Sequence, residues 1–202
     1  MTPTTEPTPV VVTIAEKELS GAQWVTKYPG SSDTADLEED FKIATESFLA
    51  ALRLAKATVY IAATFRPPER AYLMHWSWKI AHKKVKPEKV PARSGILIEW
   101  DHGDEEKSIQ AAKSMVSSYG MDGLKVAPAL SSRHTEGKAI DMSIAWSSKV
   151  LTISDASGKE IEIKEGVKNG MNSELHKIGE SYGVIKFKLG AKDKPHWSSD
   201  GK

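Results

Sequence analysis

Two short stretches hold residues whose types and spacing can do chemistry. The first is Ser131–Trp146, SSRHTEGKAIDMSIAW, with His134 and Asp141 on either side of Gly137. In an extended strand alternate residues face opposite sides. That puts Ile140, Met142 and Ile144 on a core face, and Ala139, Asp141 and Ser143 on the other. The small neighbours leave room beside the carboxylate, and Gly137 permits a tight turn that folds His134 back towards it. An imidazole and a carboxylate brought together this way are two ligands for a metal such as zinc. Taken alone, the same pair reads more readily as a capping or ion-paired aspartate beside an ordinary loop histidine, and it is the second stretch that shifts the balance. The second stretch, DKPHW, holds Asp193 and His196. His196 would complete three protein ligands and leave a fourth position for water, the pattern of a catalytic zinc site. Asp193 would be the free carboxylate that takes the proton of that water.

Composition narrows the choices. The chain has 202 residues, 40% of them hydrophobic, enough for an ordinary core. A net charge of +1 argues against a nucleic-acid-gripping protein. There is no cysteine, so disulfides, thiolate metal sites and cysteine nucleophiles are excluded, and any metal must be held by His, Asp or Glu. No apolar run suits a membrane span. The N-terminus lacks the pattern of a secretory signal, which implies a protein made in the cytoplasm.

The elements that must position these residues follow from periodicity. Residues 1–33 read as an N-terminal extension, partly disordered over its Thr/Pro-rich start, with a possible strand at VVVTI and a loop from Ser20 to Thr34. Phe41, Ala44, Phe48, Leu52 and Ala55 recur at helical steps, predicting a helix over Asp36–Ala57. Residues 58–64 are a strand. The prolines of FRPPER open a helix reaching about residue 83. A basic, proline-punctuated loop follows, then a strand at 95–100 and a helix over DEEKSIQAAKSMVSSYG. KAIDMSI is a strand, LTISD-ASGK-EIEIK a hairpin, NSELHKIGESYG a capped helix, and VIKFKL a last strand. GAKDKPHWSSDGK reads as loop and tail. The fold class is α+β: a mainly antiparallel sheet with flanking helices in one catalytic domain, 34–202, with the zinc at the sheet.

With these pieces in place the chain resembles a known family. SRHTEGKAID matches the S-x-H-x-x-G-x-A-x-D pattern of the M15-type zinc peptidases, which comprise D-Ala-D-Ala peptidases and phage L-alanyl-D-glutamate endolysins. DKPHW matches their C-terminal [ED]-x-x-H element, and ATFRPPER is similar to the arginine-bearing segment after their first strand. The resemblance runs over residues 36–198 in the family's order. It implies zinc ligation by His134, Asp141 and His196, and a general base at Asp193. It implies an arginine, Arg66, that binds a substrate carboxylate or a developing oxyanion, and a secondary substrate-side role for Ser132. The family often has a glutamine after the arginine, where this chain has Glu69 and Arg70. The implied activity is zinc-dependent hydrolysis of peptidoglycan stem peptides by a monomer, first of all at L-Ala-D-Glu. D-Ala-D-Ala carboxypeptidase or dipeptidase action is the alternative within the class. A non-catalytic zinc-containing cell-wall-binding module is the alternative outside it. Neither a nucleic acid nor a membrane is an expected partner. The enzyme would reach the wall after lysin-like release or delivery. His75, His82, His102 and His176 are expected to lie outside the metal site, and Glu136 to be solvated.

Overall fold

The computed structural model describes residues 16–202. The expected disorder over residues 1–9 and the possible strand at VVVTI lie outside the described residues. The strands are β1 (Glu18–Leu19), β2 (Thr58–Ala63), β3 (Ile98–Glu99), β4 (Ala139–Ala145), β5 (Leu151–Ser154), β6 (Glu160–Ile163), β7 (Ile185–Lys186) and β8 (His196–Ser198). The helices are α1 (Glu39–Leu54), α2 (Pro68–Ala81), α3 (Glu105–Ser118) and α4 (Ser173–Ser181). The class is mixed helix and sheet. The main sheet has the order β2-β4-β8-β7, with every pair antiparallel. β5 and β6 form the expected hairpin.

Local signals explain the helix ends. Asp104 caps α3 by accepting from Lys107 N at 2.8 Å, and Asn172 caps α4 by accepting from Glu174 N at 2.9 Å. Pro67 and Pro68 open α2, and Gly183 follows α4 with φ of +84°.

The core has two large parts and a small third one of Trp78, Val116 and Met121. In the first part Phe41, Phe48 and Leu52 of α1 meet Ile140, Met142 and Ile144 of β4, together with Leu175, Ile178 and Trp197. These are the faces that helical and alternating periodicity predict. In the second part Trp24, Leu73, Ile80, Ile98, Trp100, Ile109 and Met115 join α2, α3 and the N-terminal segment. Residues 16–33 thus pack onto the remainder through the parallel β1–β3 pair and the buried Trp24.

Three expectations need correction. The stretch 190–202, read as loop and tail, contains β8, which lies inside the main sheet between β4 and β7. Pro195 masks the strand in the sequence, yet its carbonyl still accepts from Met142 N at 2.9 Å. The strand expected at 95–100 shrinks to Ile98–Glu99 and pairs with β1 outside the main sheet. Gly95 in the left-handed region and an Arg93–Ile96 bridge turn the chain just before it. The strand over 184–189 pairs only at Ile185–Lys186.

Helix α4 lies so close to β8 that one glycine is required for space alone. A Cβ at Gly179 would stand 2.8 Å from Trp197 Cζ3 and 2.8 Å from Val184 O. Gly179→Ala gains about 1 kcal/mol of helix propensity, but overpacking costs about 1–3 kcal/mol. The variant is expected to melt below the wild type; a higher melting temperature would contradict this packing.

Candidate metal centre

Asp141 and His196 are direct cross-strand partners on β4 and β8, so their side chains rise from the same face of the sheet. His134 arrives from the 3₁₀ turn Arg133–Glu136. Gly137 ends that turn in the left-handed region at φ +69°, where a Cβ would lie 2.8 Å from Glu38 N. The turn is thus seated against the start of α1, and Glu38 N donates to Gly137 O at 2.9 Å. The segment just after β2 supplies the other support: Arg66 N donates to His134 O at 3.1 Å, and the His134 ring reaches back to Thr64 O.

Three ligand atoms converge. His134 Nε2 lies 3.2 Å from Asp141 Oδ1 and 3.2 Å from His196 Nδ1, and His196 Nδ1 lies 3.0 Å from Asp141 Oδ1. Zinc bonds of about 2.0–2.1 Å at tetrahedral angles put neighbouring ligand atoms about 3.3–3.4 Å apart, close to this triangle. The outer nitrogens decide the tautomers. His134 Nδ1 is 2.9 Å from Thr64 O, and His196 Nε2 is 3.0 Å from the main-chain oxygen of Lys202. A main-chain carbonyl or carboxylate oxygen only accepts, so each outer nitrogen carries a hydrogen. In the neutral rings His134 Nε2 and His196 Nδ1 are then lone pairs, and both face a carboxylate oxygen. Three acceptors at this spacing repel unless a cation or an added proton stands among them. The group can therefore hold a metal ion, with outer hydrogen bonds that orient both imidazoles.

The surrounding charges are consistent with this arrangement. Burial pushes the Asp141 carboxyl up, but His134 and His196, which donate to it when their rings are protonated, outweigh burial and hold the group below the usual carboxylate range. Burial opposes charge on His196, but the hydrogen bonds to Asp141 and Lys202 outweigh it and raise its pKa above the ordinary 6.5. Asp193 is pushed above its ordinary value by burial and then by Asp141. Arg66 is half-buried. Burial lowers its pKa, while Asp141 and Asp193 favour its charge. Among the described residues its guanidinium makes no ion pair.

The two imidazoles line different cavities. One, of about 280 Å³, is bordered by Ser132, Asp193, His196 and Phe187; the other, of about 310 Å³, by Arg66, Arg70, Ser31 and His134. The structure thus brings His134, Asp141 and His196 together, with Asp193 on one side and Arg66 on the other. Ser132 borders the Asp193 cavity, and its buried Oγ has no hydrogen-bond partner among the described residues. The remaining histidines lie elsewhere: His75 contacts Pro128 O, His82 Trp78 O, His176 Gly170 O and His102 Ser20 Oγ. Glu136, expected to be solvated, pairs with Arg133 at 2.5 Å. Arg70, at the departure from the family pattern, donates to Val25 O and Tyr28 O and so ties the N-terminal segment to α2.

The sequence does not single out Lys186. It is 6% exposed, and its Nζ donates to the carbonyls of Lys194 at 2.6 Å and His196 at 2.8 Å, with Asp193 O at 3.4 Å. Burial lowers its pKa to about 8, against the pull of Asp193 and Asp141. The only trace in the sequence is that Lys186 is one of two alternating lysines, with Lys188, in the short stretch VIKFKL.

The chain matches no family model, no curated protein and no solved structure.

The tautomers set a pH dependence. Because the folded pKa of His196 is raised, its protonation stabilises the metal-free protein at low pH, and this is lost as pH rises through the raised value. Metal binding runs the other way, since both imidazoles must be unprotonated. The rise in melting temperature on adding zinc is expected to widen from about pH 5 to about pH 7.5. Calorimetry at matched zinc concentration reads it, and a constant or narrowing gap would contradict the ligand set.

Proposed function

We propose that this protein is a zinc-dependent peptidase that hydrolyses peptidoglycan stem peptides. The observation that carries the reading is the triangle of facing acceptors in His134, Asp141 and His196, with a raised-pKa carboxylate, Asp193, beside it, and an arginine, Arg66, that makes no ion pair among the described residues. The resemblance of SRHTEGKAID and DKPHW to the D-Ala-D-Ala peptidase and endolysin family supplies the substrate class.

Zinc held by the three residues would polarise a scissile carbonyl and bring the pKa of a water towards neutrality. The rest is work for the chain's own groups. Asp193 accepts the proton of the attacking water and returns it to the departing amine. Its raised pKa suits both halves of that transfer, because the carboxylate is a stronger base than an exposed aspartate. Arg66 offers a fixed cation, without a competing carboxylate partner, to the oxygen that gains charge or to a free carboxylate of the stem peptide. Partial burial strengthens both interactions.

Cleavage between L-Ala and D-Glu is the first expectation, and removal of terminal D-Ala is the alternative. Incubating the protein with purified peptidoglycan, with and without a chelator, and reading the products by mass spectrometry separates them. New amino termini at D-Glu support the first, and free D-Ala the second. A zinc-loaded protein that yields no product would move the site to the non-catalytic wall-binding reading.

Asp193 gives the sharpest variant. Asp193→Asn is expected to keep its zinc and its melting temperature while turnover falls about 10²–10⁴-fold, the usual worth of a positioned base. Wild-type turnover in that variant would remove Asp193 from the mechanism.

A further inference from the structure

Arg133 and Asp200 are far apart in sequence but joined in space. Arg133 Nε donates to Asp200 Oδ1 at 3.2 Å, and Nη2 donates to Oδ2 at 2.5 Å, a two-point pairing. Arg133 immediately precedes His134. Asp200 lies in the turn after β8, which is folded back on itself. Lys202 N donates to Asp200 Oδ1 at 3.1 Å and to Ser198 Oγ at 3.0 Å, and Ser198 Oγ donates to the Lys202 oxygen at 2.9 Å. Gly201 allows the fold-back at φ +73°, where a Cβ would crowd Ile185 Cγ2 at 3.0 Å and Lys186 O at 3.1 Å. The Lys202 oxygen is the group that takes the Nε2 hydrogen of His196.

These contacts form one closed path: His134, Arg133, Asp200, the main chain of Lys202, and His196. We infer that Asp200 is a positioning residue for the metal centre, which holds the turn of one imidazole against the main-chain oxygen that orients the other. The inference rests on the metal reading of the triad and adds a dependence of metal affinity on a pair that touches no ligand atom. A mere surface ion pair would leave metal affinity alone, because exposed pairs contribute little. This pair instead fixes the direction of the main-chain oxygen behind His196, and loss of such a partner typically weakens metal binding about 10–100-fold. Glu136 serves as the internal control. It also pairs with Arg133, but its side chain is exposed and, among the described residues, makes no hydrogen bond to either imidazole.

The test is zinc affinity by chelator competition, with the visible spectrum of the cobalt-substituted protein as a second readout. Asp200→Asn and Arg133→Gln are each expected to raise the zinc Kd about 10–100-fold and to alter the cobalt spectrum. The double variant should be no worse than the weaker single one, because both act on one path. Glu136→Gln should leave Kd and spectrum as in the wild type. Zinc-binding wild type with unchanged affinity in Asp200→Asn and Arg133→Gln overturns the inference alone, as does a double variant whose losses multiply. A wild type that takes up no zinc overturns the metal reading and the inference together. The melting temperature of each metal-free variant identifies a general loss of fold, and an affinity loss that only follows unfolding also counts against the inference.

Discussion

The centre depends on how the two imidazoles spend their N–H groups. Thr64 O takes one and the Lys202 oxygen takes the other, so His134 Nε2 and His196 Nδ1 are left as acceptors beside Asp141. In water such an arrangement would relax by rotating a ring. Here His134 is 5% exposed and His196 8%, so rotation would strand a buried N–H and a buried carbonyl. The fold therefore holds a repulsive cluster in place, one that a divalent cation would relieve at the pH where imidazole is neutral.

Much of the architecture can be understood as supporting that cluster. The antiparallel β4–β8 pair sets the Asp141–His196 spacing, and the seating of Gly137 against α1 sets the approach of His134. Behind the site, alternation along β8 turns Trp197 into the core, where its ring lies 5.7 Å from Phe48 and 5.5 Å from His176. Core packing on one face of β8 and a candidate metal ligand on the other are consequences of one strand geometry. Lys186 fastens the preceding loop from beneath through main-chain carbonyls, which places Asp193 without consuming its carboxylate.

The parts of this arrangement that are legible in the sequence are the local ones. The core face of α1 follows from its helical period, and that of β4 from alternation. The glycine between His134 and Asp141 announces a turn, and those ligand types with a third in DKPHW announce a metal. What is not legible has its cause at long range. β8 is three residues long and preceded by proline, so no period can develop, and only its two neighbours make it a strand. The Arg133–Asp200 pair and the outer carbonyls of Thr64 and Lys202 carry no local pattern, because any residue supplies a carbonyl and most arginines are solvated. Lys186 is hidden for the same reason, since its partners are main-chain atoms.

The most direct test is diffraction from zinc-soaked crystals at the zinc absorption edge. A single anomalous peak is expected about 2.0–2.2 Å from His134 Nε2, Asp141 Oδ1 and His196 Nδ1, with both outer ring nitrogens still on their carbonyls. A peak held through His134 Nδ1 or His196 Nε2, or one outside this triangle, would contradict the proposed centre.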